Sequence, residues 1–160
     1  MKKILICGCL MILGLGALWA ETFTHQEGGI SIWFPNHWRV NTDGNILDAE
    51  APSQDAFAQL IVLKDARSLQ EGVDAYIKKV KRNIKRFAVT RQGDQVRKNG
   101  LTFYYVWGEG MMNGIDVGTG AAIIQTPKAI VLMMTLDTEQ SRKHHRKQIK
   151  NIMNSIRALR

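Results

Sequence analysis

Beyond residue 9 the chain has no cysteine, since Cys7 and Cys9 both fall in its first segment. A disulfide framework, thiolate zinc sites and a cysteine nucleophile are thereby excluded from everything that follows. Charge is missing from the start: after Met1-Lys2-Lys3 nothing charged occurs from Ile4 to Ala20, where Glu21 ends the run. A basic start, an apolar core and a small residue before the first acid are the anatomy of a secretory signal, with cleavage expected after Ala20. The apolar run falls short of the roughly 20 residues of a spanning helix. The bulky Leu18 keeps an uncleaved inner-membrane anchor as the alternative. Lipidation at Cys9 is rejected, because only Ile4 to Gly8 would separate it from the lysines.

Residues 1–20 therefore read as a signal peptide and 21–160 as one exported domain, placed in the periplasm. With 45% hydrophobic residues, a domain of about 140 residues can be held by a single core without staples. No internal repeat or low-complexity segment appears.

Alternation at period two marks the strands. Phe23-Thr24-His25, the turn at Glu27-Gly28-Gly29 and Ile30 to Phe34 predict a hairpin, with Ile30, Ile32 and Phe34 on one face and Pro35 as its end. Trp38 to Val40 and Ile46 to Ala49 pair around Thr42-Asp43-Gly44-Asn45. In the next strand Phe57, Gln59, Ile61 and Leu63 oppose Ala58, Leu60 and Val62, so both faces are apolar and both need cover. Ser68-Leu69-Gln70-Glu71 is a capping box. It opens a helix whose stripe is Leu69, Val73, Tyr76, Ile77, Val80, Ile84 and Phe87, ending near Arg86 or Phe87. Strands resume at Val89 to Arg91, Gln95 to Lys98 and, after the Asn99-Gly100 turn, Leu101 to Trp107. The glycine-rich stretch Gly108 to Gly114 reads as a connection to Ile115 through Gln125, and Pro127-Lys128 turns into Ala129 through Leu136. Thr138 then opens a second helix with the stripe His145, Ile149, Ile152, Ile156 and Leu159. The expected fold class is α+β: an antiparallel β-sheet with amphipathic helices packed on its faces, a helix/sheet/helix sandwich.

The segment Gly29-Ile30-Ser31-Ile32-Trp33-Phe34-Pro35-Asn36-His37-Trp38-Arg39-Val40 resembles the opening of PsbP-like domains, where an early strand ends in Pro, two variable residues and Trp. The closing helix, with Ile149, Ile152, Met153, Ser155 and Ile156, is similar to that group's final helix, and the order of elements covers nearly the whole exported chain. The resemblance extends to DcrB-like bacterial envelope proteins and to a Ran-binding nuclear protein of the same fold. It implies a PsbP-like fold and an accessory or assembly role, not catalysis, with no functional residue set carried over.

The formal net charge is +8, and with Lys2 and Lys3 in the leader the exported domain carries about +6. Lys78, Lys79, Lys81, Arg82, Lys85 and Arg86 are expected opposite the apolar stripe of the first helix, while Arg142, Lys143, Arg146, Lys147, Lys150, Arg157 and Arg160 enrich the second. A solvated face explains them. The functional alternative is a patch for an anionic partner: an anionic membrane surface rather than nucleic acid, since export and the lack of interleaved aromatics argue against base stacking. Met111 and Met112 are candidates for a hydrophobic contact or for covering a sheet edge. Their glycines mimic a nucleotide loop but lead into a strand, so no cofactor is expected.

No Lys or Arg occurs from Val40 to Leu63, where Asp43, Asp48, Glu50 and Asp55 gather. Asp48 and Glu50 share one strand face, the spacing of a carboxylate pair or weak calcium site, yet the adjoining turn lacks calcium-loop spacing and no metal is expected. His144 and His145 point about 100° apart on a helix, and His145 reads as a packed boundary residue. His25 and His37 fit no triad or zinc pattern, the serines lack a nucleophile elbow, and Trp33, Trp38 and Trp107 read as core, with Trp33 a contact alternative. The resulting expectation is a non-catalytic accessory protein contacting another envelope protein or assembly. Its rivals are a peripheral anionic-lipid binder and a hydrolase built on Asp48, Glu50 or a histidine.

Overall fold

The computed structural model of the protein describes residues 21–159. The expected signal and its cleavage point lie outside the described residues, as does Arg160. The chain opens with β1 (Glu21–His25) and β2 (Ile30–Phe34), followed by β3 (Arg39–Asp43), β4 (Ile46–Glu50) and β5 (Ala56–Leu63). Helix α1 (Leu69–Asn83) leads into β6 (Lys85–Gln92), β7 (Val96–Lys98), β8 (Leu101–Met112), β9 (Ile115–Gln125) and β10 (Ile130–Thr138), and α2 (Glu139–Ser155) is followed by β11 (Arg157–Ala158).

The main sheet has eight strands in the order β3-β4-β5-β10-β9-β8-β6, with β7 also paired to β8, and its pairs are antiparallel. Alternation along β10 builds two cores. Ile130, Leu132 and Met134 face α1 with its Val73, Tyr76 and Val80, while Val131 and Met133 face the opposite side, where Ile152 and Ile156 pack. The expected helix/sheet/helix sandwich is present. One addition completes the second face: β1, β2 and β11 form a separate three-stranded sheet, and Ile30, Ile32 and Phe34 of β2 are buried in the same core as Ile152.

Local signals place α2 as the sequence predicts. Thr138 Oγ1 accepts from Ser141 N (3.2 Å) and Ser141 Oγ accepts from Thr138 N (2.9 Å), a reciprocal capping box. The box expected at α1 forms only in half. Ser68 Oγ accepts from Glu71 N, but the Glu71 carboxylate takes the N–H of Arg67 (2.6 Å).

Three expectations are corrected. First, α1 stops at Asn83, with Ile84 already extended (φ −111°, ψ 112°), so Lys85 and Arg86 lie on β6 and not on the helix. Ile84 and Phe87 keep their inward roles but pack over the backbone of β8, which an extended chain beside that strand can reach while exchanging ladder hydrogen bonds. Arg86, at φ +53°, sits within a register shift between Lys85 and Ala88. Second, Gly108 to Met112 are not a connection. They continue β8, and the reversal is the two-residue Asn113-Gly114 turn, both residues at positive φ as a tight hairpin requires. Third, Ile156, Arg157 and Leu159 lie beyond α2, whose last residue is Ser155, Ile156 being already extended (φ −62°, ψ 127°). Asn99 Nδ2 donates to the Ile156 carbonyl (2.9 Å), ending the helix against the β7–β8 turn.

The glycines of β8 are packing residues. A Cβ at Gly108 would lie 2.2 Å from Phe87 Cε2 and 2.8 Å from the Ala88 carbonyl, and one at Gly110 would lie 2.5 Å from Ile84 Cγ2. Gly108→Ala is expected to destabilise the protein by about 1–3 kcal/mol through overpacking against β6, read from the midpoint of urea unfolding; an unchanged midpoint would contradict this role.

Candidate binding groove

On the α2 side the sheet is only partly covered. Phe103, Tyr105 and Trp107 recur at period two along β8 and stand on one face, their neighbouring ring centroids 6.0 and 5.8 Å apart. Phe103 is buried under the core, whereas Trp107 is 36% exposed. Opposite Trp107 in the β8–β9 register is Gly120, where a Cβ would lie 3.3 Å from Trp107 Cδ1. Opposite Glu109 is Gly118, whose missing side chain leaves room for the Arg142 guanidinium. The result is a half-open groove of about 840 Å³ between α2 and the β8–β6 flank of the sheet. Tyr105, Trp107, Gly120 and Thr135 line one side; Arg146, Ile149, Lys150 and Met153 line the other.

The cations of the groove divide into two kinds. Arg142 Nε donates to Asp137 Oδ1 (2.8 Å) and Nη1 reaches Glu109 Oε1 (3.3 Å), while Lys143 bonds Glu139 (2.9 Å) one helical turn away. Burial pushes the Asp137 carboxyl above its ordinary range, the Arg142 hydrogen bond and charge pull it back, and Asp137 in turn holds the Arg142 guanidinium up. Arg146 and Lys150 are exposed and have no acidic partner among the described residues. Burial also pushes the Tyr105 hydroxyl up, so the aromatic wall stays neutral. The groove is therefore lined by two uncommitted positive charges, Arg146 and Lys150, across from an aromatic surface whose Trp107 ring also carries the Arg91 guanidinium 4.8 Å from its centre.

A second cluster fastens α2 rather than forming a site. His145, 4% exposed, places Nδ1 3.0 Å from Gln148 Oε1 and Nε2 2.9 Å from Asp55 Oδ1 and 3.2 Å from Ser53 Oγ. Trp38 Nε1 donates to the same Gln148 oxygen (3.2 Å), and the Trp38 ring meets the imidazole edge-on. Serine, carboxylate and imidazole are together, but both oxygens address Nε2, whereas a hydrolytic triad needs the carboxylate on one ring nitrogen and the hydroxyl on the other. Ser53 instead donates to Asp55, which with His145 holds the Asp55 carboxyl below its ordinary range. His145 is thus a core residue bonded at both nitrogens, beyond the boundary packing expected of it.

The residues singled out by sequence fall elsewhere. Lys78, Lys81 and Arg82 are exposed on α1, Lys79 is half-buried, and Lys85 and Arg86 are exposed on β6; none lines the groove. Met111 and Met112 are half-buried, Met112 against the α1-side core, and the hairpin's exposed apolar residue is Ile115 at 57%. Asp48 accepts from Gln59 Nε2 (2.6 Å) and Glu50 pairs with Arg39, so each carboxylate is engaged across a strand. Among the described residues no cluster of three His, Cys, Asp or Glu could hold a metal. Sequence reasoning missed the groove. The available signal was Trp107-x-Glu109 across from Gly118-x-Gly120, with Arg146 and Lys150 four apart.

The chain matches no family model, and no curated protein matches its sequence. Its architecture, by contrast, is shared. Cyanobacterial PsbP (CyanoP) from Synechocystis sp. PCC 6803 superposes with a TM-score of 0.68 at 11% identity, over 96% of this chain and 97% of that one. A protein of unknown function from Pseudomonas aeruginosa, PA94, described as a putative regulator, gives 0.54 at 14% identity over 85% and 94%. A Bacteroides thetaiotaomicron protein gives 0.58 at 12% identity, over 87% of this chain and 48% of that one. The protein has the PsbP-like fold, as the segment from Gly29 to Val40 implies.

Arg142→Ala is expected to cost about 1 kcal/mol at neutral pH, the exposed guanidinium being partly screened. Asp137 has a folded pKa above its unfolded 3.8, and loss of Arg142 raises it further. The deficit is full where Asp137 is ionised and vanishes as pH falls through these raised values toward 3.8. Urea unfolding of both proteins across that range checks it; a deficit independent of pH would place the effect in packing.

Proposed function

We propose that the protein is an exported accessory protein of the cell envelope that works by holding another envelope protein or assembly, with the groove beside α2 as its contact surface and no reaction of its own. One observation carries this reading: Arg146 and Lys150 stand uncommitted beside the Tyr105–Trp107 surface, while the groove's carboxylates Glu109, Asp137 and Glu139 are tied to Arg142 or Lys143. Uncommitted cations over an apolar surface are suited to recognition, and tied carboxylates are poor general acids or bases. Export to the periplasm is supported by Lys2-Lys3 and the run from Ile4 to Ala20. Among the described residues no helix is long and apolar enough to cross a membrane, and an uncleaved signal is the alternative tether. A photo-crosslinking residue at exposed Thr90, on the groove's rim, is expected to give a discrete protein adduct in intact cells that disappears with Arg146→Glu plus Lys150→Glu. The same residue at Lys78 should give none. An adduct from Lys78 alone, or from neither position, would overturn the assignment.

A second reading, a peripheral binder of anionic lipid, is favoured by a different observation. Lys78, Lys79, Lys81 and Arg82 of α1 have no acidic partner among the described residues. Each cation near an anionic surface is worth about 1 kcal/mol, so three or four acting together give roughly 3–4 kcal/mol, weak and salt-sensitive. Flotation with phosphatidylglycerol vesicles is then expected to drop at least about tenfold with Lys78→Glu plus Lys81→Glu. Flotation indifferent to these changes and to salt would rule this patch out.

A further inference from the structure

We propose that the groove takes an extended acidic segment of a partner protein in which carboxylates alternate with apolar side chains. The carboxylates would meet Arg146 and Lys150, and the apolar side chains would meet Tyr105 and Trp107. This rests on the groove being the contact surface proposed above and adds the chemistry of what fills it.

Length comes first. The residues of α2 that line the groove run from Glu139 to Asn154, about 22 Å at 1.5 Å per residue, enough for six or seven residues of extended chain at about 3.3 Å each. Spacing comes second. Arg146 and Lys150 are one turn apart, their Cβ atoms about 6 Å from each other, and side chains two apart on an extended chain repeat at about 6.6 Å. Carboxylates at alternate positions can therefore engage both cations. The intervening side chains then point to the other wall, where Tyr105 and Trp107 stand with Gly120 between β8 and β10.

Other anionic occupants fit less well. A lipid carries its charge at one end: both cations can meet on its phosphate, but its acyl chain would then lie in a groove open to water along its length. A single-stranded nucleic acid needs free aromatic faces for its bases, yet the Arg91 guanidinium already sits 4.8 Å from the centre of the Trp107 ring and Tyr105 stacks beside it. With both faces of Trp107 engaged, the wall offers ring edges to apolar side chains and no open face for base stacking.

The test uses purified protein and a fluorescein-labelled Glu-Leu-Glu-Leu-Glu-Leu peptide, followed by anisotropy and by tryptophan emission. Binding is expected, with the Gln-Leu-Gln-Leu-Gln-Leu peptide at least about tenfold weaker. Arg146→Gln plus Lys150→Gln should weaken the acidic peptide by about tenfold or more, and Lys78→Gln plus Lys81→Gln by less than about twofold. Trp107→Phe should abolish the emission change, with unchanged urea midpoints showing that each variant is folded. Equal affinity for the glutamine peptide, equal loss in the α1 variant, or tighter binding of an oligothymidylate or of phosphatidylglycerol vesicles would overturn the proposal. If the peptide fails while Thr90 still crosslinks a protein through Arg146 and Lys150, the occupant's chemistry is wrong and the contact surface stands. Failure of both removes both.

Discussion

The central strands β5, β10, β9 and β8 are apolar on both faces, and the rest of the chain is arranged to cover them. Leaving one face open would expose side chains each worth about 1.5–3 kcal/mol on burial. Helix α1 covers one face through Val73, Tyr76 and Val80. The other is shared between the β1–β2 hairpin and α2, and this shared cover is the source of the groove. Ile30, Ile32 and Phe34 with Ile152 and Ile156 close the core over Leu60, Val131 and Met133. The cover thins along β8, from buried Phe103 to partly exposed Trp107.

A groove is useful for recognition only if its walls hold still, and α2 is fixed along its length. At its start, the Thr138–Ser141 capping box and the Arg142–Asp137 pair tie it to β10. Near its middle, His145 and Gln148 tie it to the β4–β5 loop through Asp55 and to the post-β2 turn through Trp38. At its end, Asn99 caps it and β11 pairs with β2. The PsbP-like Pro35-x-x-Trp38 segment has a physical task here: Trp38 N donates to the Pro35 carbonyl (2.9 Å), and the turn delivers the indole against His145 and Gln148. Preorganisation of this kind lowers the ordering cost of binding.

How much of this was legible depended on whether the signal was local. The face formed by Ile30, Ile32 and Phe34, the Thr138 cap and the Asn99-Gly100 turn each encode their geometry within a few residues, and each is present. The end of α1 is not legible locally, because Ile84 and Phe87 continue the helical spacing while packing, as extended chain, against Gly110 and Gly108. The same glycines suggested a loop because their reason for lacking side chains lies on another strand. The groove is harder still: its walls come from β6, β8, β9, β10 and α2, and the Asp55–His145 fastening joins residues 90 apart. Composition shows that cations are abundant; only the fold shows which ones have been neutralised.

That distinction sets the two basic surfaces apart. The cations of α1 stand mostly in open water, where a single contact is worth about 0–1 kcal/mol and is screened over about 8–10 Å at physiological salt. They can attract, but a row of solvated lysines imposes no register on what it attracts. Arg146 and Lys150 have the same charge in a different setting, with Ile149 and Met153 on their own helix and the Tyr105–Trp107 wall across from them. An anion entering there trades water for an apolar neighbour and for charges spaced one helical turn apart. It must then match both the charge spacing and the apolar wall to recover the cost of desolvation. Gly118 and Gly120 keep that space open: the first makes room for the Arg142 guanidinium that neutralises Asp137, and the second keeps the wall beside Trp107 low. On the proposed function, long-range attraction would belong to the whole basic surface and selectivity to the groove, where the acids Glu109, Asp137 and Glu139 are paired with Arg142 or Lys143 and leave Arg146 and Lys150 free of them.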